Sequence, residues 1–465
     1  MVSLLSYYGG LSILKSEGRN LSVATTQTFG GGVHPREIGN GKNATQSQQI
    51  VNAAAPARVT IAMAQHGGAP AVCCVKVGQT VNMGQVIGEA QGFISAPVHA
   101  SVSGKVVAVT TCTVASGKSV PAVVIENDFE DRWDESVKPR ENVDALSAMD
   151  IAHIAASCGI VGMGGAAFPT AVKLDTSKLE EKPDTLVVNG SECEPYLTSD
   201  HRIMVENAAQ IVDGIMLAMK ATGVSCAKVG IEDNKPDAVQ AMRDAASGKQ
   251  GIEVVALPAR YPQGFEKTLI YSLTGRIVPN GKLPSAAKCV VINVGTCAAL
   301  SAAVRKGQPL IDRVVTVTGR VAKPTNFRVR IGTPLLDLID QAGGLTEGVR
   351  KLVVGGAMMG NAVPTLNLPI TKNFGGFLAL GEEAISAEES ACIRCGRCMR
   401  ACPMKLAPAK IDSLVRHGDY DGAIAAGAMN CMECGSCTYA CPAKRELTQS
   451  CRVAKAIARS KPKKS

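Results

Sequence analysis

A chain of 465 residues exceeds the roughly 250–300 at which a single core stops growing, so two to four domains are expected. Its net charge of +9 comes with 3% aromatic residues that do not interleave with the basic ones, which excludes a nucleic-acid-binding reading. The longest uncharged runs, such as 289–304, are broken by Asn293 and Gly295 and fall short of the roughly 20 apolar residues a membrane-spanning helix needs, so none is expected.

Residues 1–28 match nothing that follows and read as an N-terminal extension, without the unbroken apolar core of a secretory signal. From Phe29, through Gly30-Gly31-Gly32-Val33-His34-Pro35, the chain enters strand-like runs at 59–63, 71–77 and 85–88 between glycine-rich turns. The block 75–107 resembles the barrel-sandwich hybrid of biotinyl and lipoyl carriers. No lysine occupies the hairpin tip between Gln91 and His99, so it reads as a scaffold and not a swinging arm. The charged linker 127–141, with the sole tryptophan Trp133, closes this domain, 29–142.

From 143 to 310 the pattern alternates. Helices are expected over 150–158, 204–222, 236–246 and 296–305, and strands over 185–188, 227–231, 253–256 and 289–292. That alternation predicts a parallel α/β sheet, with ligands at the carboxyl ends of its strands. The turn Gly162-Met163-Gly164-Gly165-Ala166-Ala167 matches part of a dinucleotide fingerprint, yet no convincing strand precedes it and Pro169 interrupts the helix that should follow. As a lone motif it favours a structural loop, although amides freed of side chains can still cradle a phosphate. Strand-like spacing over 314–321 and helix-like spacing over 332–344 mark the next segment, 311–375.

The last segment, 376–465, holds the most specific signal. Cys392-x2-Cys395-x2-Cys398-x3-Cys402-Pro403 is repeated as Cys431-x2-Cys434-x2-Cys437-x3-Cys441-Pro442, the ligand spacing of bacterial ferredoxins with two [4Fe–4S] clusters, in which the fourth cysteine ligates the other cluster. Cys402 is therefore expected to join Cys431, Cys434 and Cys437, and Cys441 to join Cys392, Cys395 and Cys398. Structural zinc, the rival, does not need this duplicated set of eight thiolates. Such clusters require a reducing compartment, so the location is read as cytoplasmic. The remaining cysteines, Cys451 among them, lie mostly in apolar runs and read as core filler. Residues 392–465 hold 14 Lys/Arg against 5 Asp/Glu, and the chain before them is neutral. That excess balances anionic clusters and, with Lys461, Lys463 and Lys464, suits an acidic protein or an anionic membrane surface. Arg394, Arg397 and Arg400 within the first motif would favour the reduced cluster, or are simply solvated. Helical spacing over 409–416, 420–426 and 444–459 predicts an α-helical ferredoxin domain.

Gly162-x-Gly164-Gly165-Ala166-x-Phe168-Pro169-Thr170-x-x-Lys173, Asn189-Gly-Ser-Glu192-Cys-Glu194-Pro195, Tyr261-x-x-Gly264-x-Glu266 and Asn293-Val-Gly-Thr296 together resemble the flavin- and NADH-binding subunit of respiratory complex I. The resemblance implies a Rossmann-like domain in which FMN is held by Gly162, Gly164, Gly165, Ala166, Lys173, Asn189, Asn293 and Thr296. NADH would lie over it near Phe168, Glu192, Glu194 and Glu266, with Tyr261 and Gly264 among the cofactor-binding positions. The chain departs from that pattern at Met163, Ala167 and Phe265. The order of segments resembles more closely the C subunit of the Rnf complex, a membrane-bound ferredoxin:NAD oxidoreductase coupled to ion pumping, and identifies 311–375 as an SLBB β-grasp domain.

This resemblance implies a multidomain α/β protein: barrel-sandwich hybrid, FMN/NADH domain, SLBB domain and two-cluster ferredoxin domain. It would work as a peripheral electron-transfer subunit on the cytoplasmic face of the cell membrane. Its partners would be NAD(H), a ferredoxin-like carrier and membrane subunits. The alternatives are a flavin and iron–sulfur cobalamin reductase, which lacks the N-terminal barrel-sandwich, and a non-enzymatic cluster-bearing adaptor.

Overall fold

The computed structural model describes residues 28–385 and 388–461, so the expected extension before Thr28 and the tail lysines Lys463 and Lys464 lie outside the described residues. At its centre stands a four-stranded parallel sheet in the order Ile252–Leu257, Cys226–Glu232, Thr185–Asn189, Cys289–Asn293. Its middle strands read as apolar runs because both faces are covered. Leu186 and Val188 face helices Ala148–Ser157, Ala208–Thr222, Pro236–Ala246 and Val294–Lys306, and Val187 faces Leu269, Ile270 and Leu273 of helix Glu266–Thr274. Asn189 and Asn293 pair at the carboxyl end of adjacent strands, where the expected ligand loops gather.

The helix expected over 204–222 is two helices, Ser199–Glu206 and Ala208–Thr222. Asn207 breaks them apart with φ −127° and ψ 28°; a short polar side chain competes with the backbone and holds the helical conformation poorly. The second helix closes on Gly223 in the left-handed conformation, the ordinary glycine stop. No strand precedes the glycine loop. Val161 instead bridges Pro169 across it, and Pro169 leads into a five-residue helix, Thr170–Leu174.

Two small sheets, Arg58–Ala62, Ser119–Asn127, Gly104–Thr113 and Thr80–Val81 against Val72–Cys73, Val86–Glu89 and Val98–His99, enclose Val59, Ile61, Ile87, Val98, Val106 and Ile125. The strand expected over 71–77 shrinks to Val72–Cys73. A six-stranded sheet follows, in the order Val51–Asn52, Thr325–Arg330, Asp312–Gly319, Gly376–Leu380, Lys351–Val354, Asn361–Ala362, with helix Leu335–Gln341 packed on its apolar face. Gly376–Leu380 is fully buried and runs parallel to Asp312–Gly319. The boundary expected at 375 therefore falls too early, because a central strand belongs to the sheet it completes.

The C-terminal segment is helical: Arg397–Ala401, Pro408–Arg416, Tyr420–Ala425, Ser436–Tyr439 and Leu447–Ser460. Ile411, Ala423, Cys451 and Ala454 form its core. Buried Asp412 ties it together, accepting from Arg416, Arg445 and Ser450 at 2.9, 2.8 and 2.6 Å. Among the described residues no helix is long and apolar enough to cross a membrane.

Candidate flavin, nucleotide and cluster sites

The glycine loop closes on itself and on the sheet. Gly162 donates to Phe168 at 2.9 Å, and the Met163 amide donates to the Thr296 hydroxyl at 2.9 Å. Asn293 accepts from the amides of Gly295 and Thr296, capping helix Val294–Lys306. Gly164 sits where a Cβ would stand 3.2 Å from Asn293, whereas a Cβ on Gly165 would meet open space. What restricts Gly165 is its φ of +142°, a conformation that side chains resist. Gly164, Gly165 and Ala166 are exposed beside half-buried Phe168, so the loop offers bare backbone to a phosphate or ring. Lys173 donates to the Val291 carbonyl at 3.0 Å; burial lowers its amine, and Glu266 is near enough to raise it in part. Asn189 donates to Gly264 at 2.8 Å, and the Gly264 amide meets Cys193 Sγ at 3.2 Å. Glycine loop, Lys173, Asn189, Gly264, Glu266 and the 293–296 turn thus share the carboxyl end of one sheet.

The two other glutamates are taken up by structure. Glu192, at φ +46°, accepts from the amides of Asp200 and His201 at 2.7 and 3.0 Å, and so anchors the start of helix Ser199–Glu206. Glu194 accepts from the amides of Met358 and Met359 at 2.9 and 3.0 Å, and burial pushes its carboxyl up to about 7 against those bonds. It braces the nucleotide-side loop against the turn before Asn361–Ala362. Neither carboxylate is directed by these bonds toward the glycine loop.

What holds that acidic loop is a residue sequence reasoning missed. Lys42, in the lead-in of the barrel-sandwich domain before its first strand, sends its amine to the carbonyls of Glu192, Glu194 and Leu197 at 2.9, 2.9 and 2.6 Å, and burial lowers its affinity for the proton. Glu37 clasps the same loop, accepting from the amides of Lys42 and Tyr196 at 2.8 Å. Buried Lys235 likewise donates to the Ser191 carbonyl at 2.7 Å. Buried Lys372 reaches from the end of the six-stranded sheet to Pro97 and Gly159 carbonyls at 3.0 and 2.8 Å. None of the three has a local motif, because a lone lysine in sequence does not reveal which carbonyls it will meet.

In the helical segment, Cys402, Cys431, Cys434 and Cys437 line one small cavity, with Thr448 and Cys451 completing its wall. The other set is more open: Cys392 and Cys395 are exposed, and Cys441 packs with Cys398 against Leu447. Among the described residues no three His, Cys, Asp or Glu side chains converge on a single metal ion. Burial holds Cys437 up to about 12 and raises Cys434; metal coordination removes a thiol's proton outright, so the donor set suits a thiolate-bound cluster. Cys451 is buried in the segment's core, as expected of a filler cysteine, and lies beside Cys431, whose thiol it holds below the ordinary range.

This cavity adjoins the nucleotide side. The buried Tyr261 hydroxyl donates to the Cys434 carbonyl at 2.6 Å and lies 3.5 Å from Glu194. Tyr261 also pairs with Val33 through both backbone bonds, and next to it Gly32 donates to Ala401 at 2.9 Å. A Cβ on Gly31 would stand 2.8 Å from the Cys402 carbonyl. The glycine-rich opening thus passes between the nucleotide loop and the cluster loop, and Gly31 and Gly32 seat both. Arg394, Arg397 and Arg400 of the first motif are exposed.

Four family models match in chain order: the RnfC barrel sandwich hybrid domain over 27–130, the Nuo51 FMN-binding domain over 155–302, the SLBB domain over 314–362 and the 4Fe-4S dicluster domain over 384–442. Among curated relatives, the chain is 45% identical to the C subunit of the Na(+)-translocating ferredoxin:NAD(+) oxidoreductase complex of Acetobacterium woodii, covering 92% of this chain and 96% of that one. It is 45% identical to the C subunit of the proton-translocating ferredoxin:NAD(+) oxidoreductase complex of Clostridium ljungdahlii, covering 85% and 86%. With the C subunit of the ion-translocating oxidoreductase complex of Rhodobacter capsulatus it shares 42% over 84% and 76%.

Proposed function

The chain belongs to the family of C subunits of ion-translocating ferredoxin:NAD(+) oxidoreductase complexes, and from that premise we propose how its residues divide the work. It is an electron-transfer subunit with FMN, NAD(H) and [4Fe–4S] clusters, partnered by the other subunits of a membrane-associated complex. Flavin, when bound, accepts the two electrons of a hydride and passes them singly to iron–sulfur clusters.

The exposed amides of Gly164 and Gly165 and the Lys173 amine hold the flavin phosphate side, while Asn189 and the Asn293–Thr296 turn fix the loop against the sheet. Glu266, beside Lys173, accepts from ribose or carboxamide donors of the nucleotide. Glu192 and Glu194 act through the backbone they position. Cys402, Cys431, Cys434 and Cys437 hold the cluster nearer the nucleotide side; Cys392, Cys395, Cys398 and Cys441 hold the more exposed one. The subunit sits on the cytoplasmic face, where NADH is available, with its surplus of positive charge turned to its partners. The observation that carries this reading is the Tyr261 bridge, which joins the nucleotide loop and a cysteine-lined cavity through one side chain.

The test is NADH bleaching of both clusters in anaerobic, flavin-loaded protein. Glu266→Ala should keep its flavin and weaken NADH binding roughly 10–150-fold, the loss of one charge-assisted hydrogen bond. Unchanged NADH dependence in that variant would place the nicotinamide elsewhere.

A further inference from the structure

A cleft of about 620 Å³ runs between helices Ala208–Thr222 and Val294–Lys306, the strands Asp312–Gly319 and Thr325–Arg330, and the linker that carries Trp133. That volume lies in the range of small-molecule sites. It touches the glycine loop at Met163 but extends away from it along the helix face to Lys306.

Its charge is one-sided. Lys306, Arg313, Arg328 and Arg330 line it against the single carboxylate of Asp312. Arg328 and Arg330 are two residues apart on one strand and so share a face. Arg328 pairs with Asp312 at 3.3 Å and donates to Asn207 at 3.4 Å, and Arg330 pairs with Asp131 at 2.5 Å and donates to the Ser101 carbonyl and Met83 sulfur at 3.0 Å, so Arg328 keeps the larger share of its five donors. Arg313 is buried and donates to the carbonyls of Val314 and Lys372; burial lowers it to about 10. Lys306 is exposed and its amine makes no ion pair among the described residues.

The rest of the lining is of another kind. Trp133, 40% exposed, and Met83 form an apolar wall, and the amides of Asn52, Asn207 and Gln210 line it too, Asn207 accepting from Arg328 and Gln210 donating to the Ala298 carbonyl, with their other ends free among the described residues. Cations for phosphate, an indole for a ring and amides for its polar edge are together a nucleotide's complement.

We propose that this cleft is a second ligand site, separate from the FMN and NADH site, that takes a phosphorylated ring compound of nucleoside diphosphate size. Phosphate meets Lys306 and Arg328, and the ring lies against Trp133. The site spans three domains, so an occupant would also tie the barrel-sandwich and the six-stranded sheet to the nucleotide domain.

Anaerobic holoprotein with flavin and both clusters is titrated with ADP by calorimetry, and the fluorescence of the sole tryptophan is followed in parallel. One ADP per chain is expected, with a saturable change in Trp133 emission. Lys306→Glu, at an exposed position, should weaken ADP at least 10-fold, and Trp133→Phe severalfold, with NADH kinetics unchanged in both. Absence of ADP binding to the wild type overturns the proposal. So does ADP that NADH displaces one for one and Lys306→Glu does not weaken, since it then occupies the dinucleotide site. Inorganic phosphate binding as tightly as ADP overturns the assignment of a ring.

Discussion

The cluster segment and the nucleotide segment perform successive parts of one reaction, yet they are built in opposite ways. The cluster segment offers side chains of fixed chemistry, eight thiols within two short runs whose spacing suits wrapping a cube. The proposed nucleotide site is mostly backbone: loop amides, helix starts and carbonyls, braced by Lys42, Lys235 and Lys372 from distant parts of the chain. A site of ligands is therefore written locally, and a site of backbone is written in whatever braces it. Damage should differ accordingly: abrupt and cofactor-specific in the first, graded and spread over stability and affinity in the second.

The sharpest break of this comparison is at Cys402, which lines the same cavity as Cys431, Cys434 and Cys437. Cys402→Ser should remove or convert the cluster of that cavity, lowering iron from about eight per chain toward four, and leave the EPR signal of the other. Loss of the signal tied to Cys392, Cys395 and Cys398 instead would mean that each motif closes on itself.

The next largest effect falls on the loop. Gly165→Val has room at its Cβ but not for its backbone, since φ is +142°; strain of ~1–3 kcal/mol in a loop held by few bonds, such as that of the Met163 amide to Thr296, should release the flavin. Both clusters should stay. Full flavin occupancy at micromolar concentration would show that the loop's conformation is not what binds it.

Legibility divides along the same line. Every strand of the parallel sheet was readable, because apolar runs such as 289–292 repeat between helix-like stretches and both faces of the sheet are covered. The break at Asn207 was not, since apolar periodicity continues through it. The strand Gly376–Leu380 lies beyond the boundary expected at 375, since nothing local marks its pairing with Asp312–Gly319, which is remote in sequence. At the site, the residue types around the glycine loop were legible through their resemblance to a known pattern. The orientation of Glu192 and Glu194 was not, because it depends on the Asp200, His201, Met358 and Met359 amides. The core role of Cys451 was legible from its apolar run, while its closeness to Cys431 was not, because the two are distant in sequence and adjacent only in the fold.

Lys42 tests the graded side of the comparison. Lys42→Met keeps the length of the side chain and removes three donors, leaving the carbonyls of Glu192, Glu194 and Leu197 buried without their partner, a cost of ~1–3 kcal/mol. Lower melting temperature and a raised KM for NADH are expected, with cluster EPR unchanged. If melting temperature falls and KM does not move, the acidic loop is a structural brace with no bearing on the nucleotide.

Tyr261 stands between the two kinds of site, and its removal should have the smallest effect. Tyr261→Phe keeps the buried ring, so packing is retained, and deletes the donor to the Cys434 carbonyl, which leaves that acceptor unpaired at a cost of about 1 kcal/mol. The carbonyl belongs to a residue proposed to ligate the nearer cluster, so any change in how firmly the loop is held is felt at that metal and not at the exposed one. The Gly32–Ala401 and Val33–Tyr261 backbone bonds persist in the variant, which is why the segments should remain docked. The expected outcome is an intact protein with both clusters, a changed midpoint potential and EPR lineshape for the cluster of the Cys402 cavity, and unaltered parameters for the other. A variant in which both clusters respond equally would show that Tyr261 supports the helical segment as a whole. A variant in which neither responds would reduce the bridge to a packing contact, and the path between nucleotide and cluster would then run through the Gly31–Val33 backbone alone.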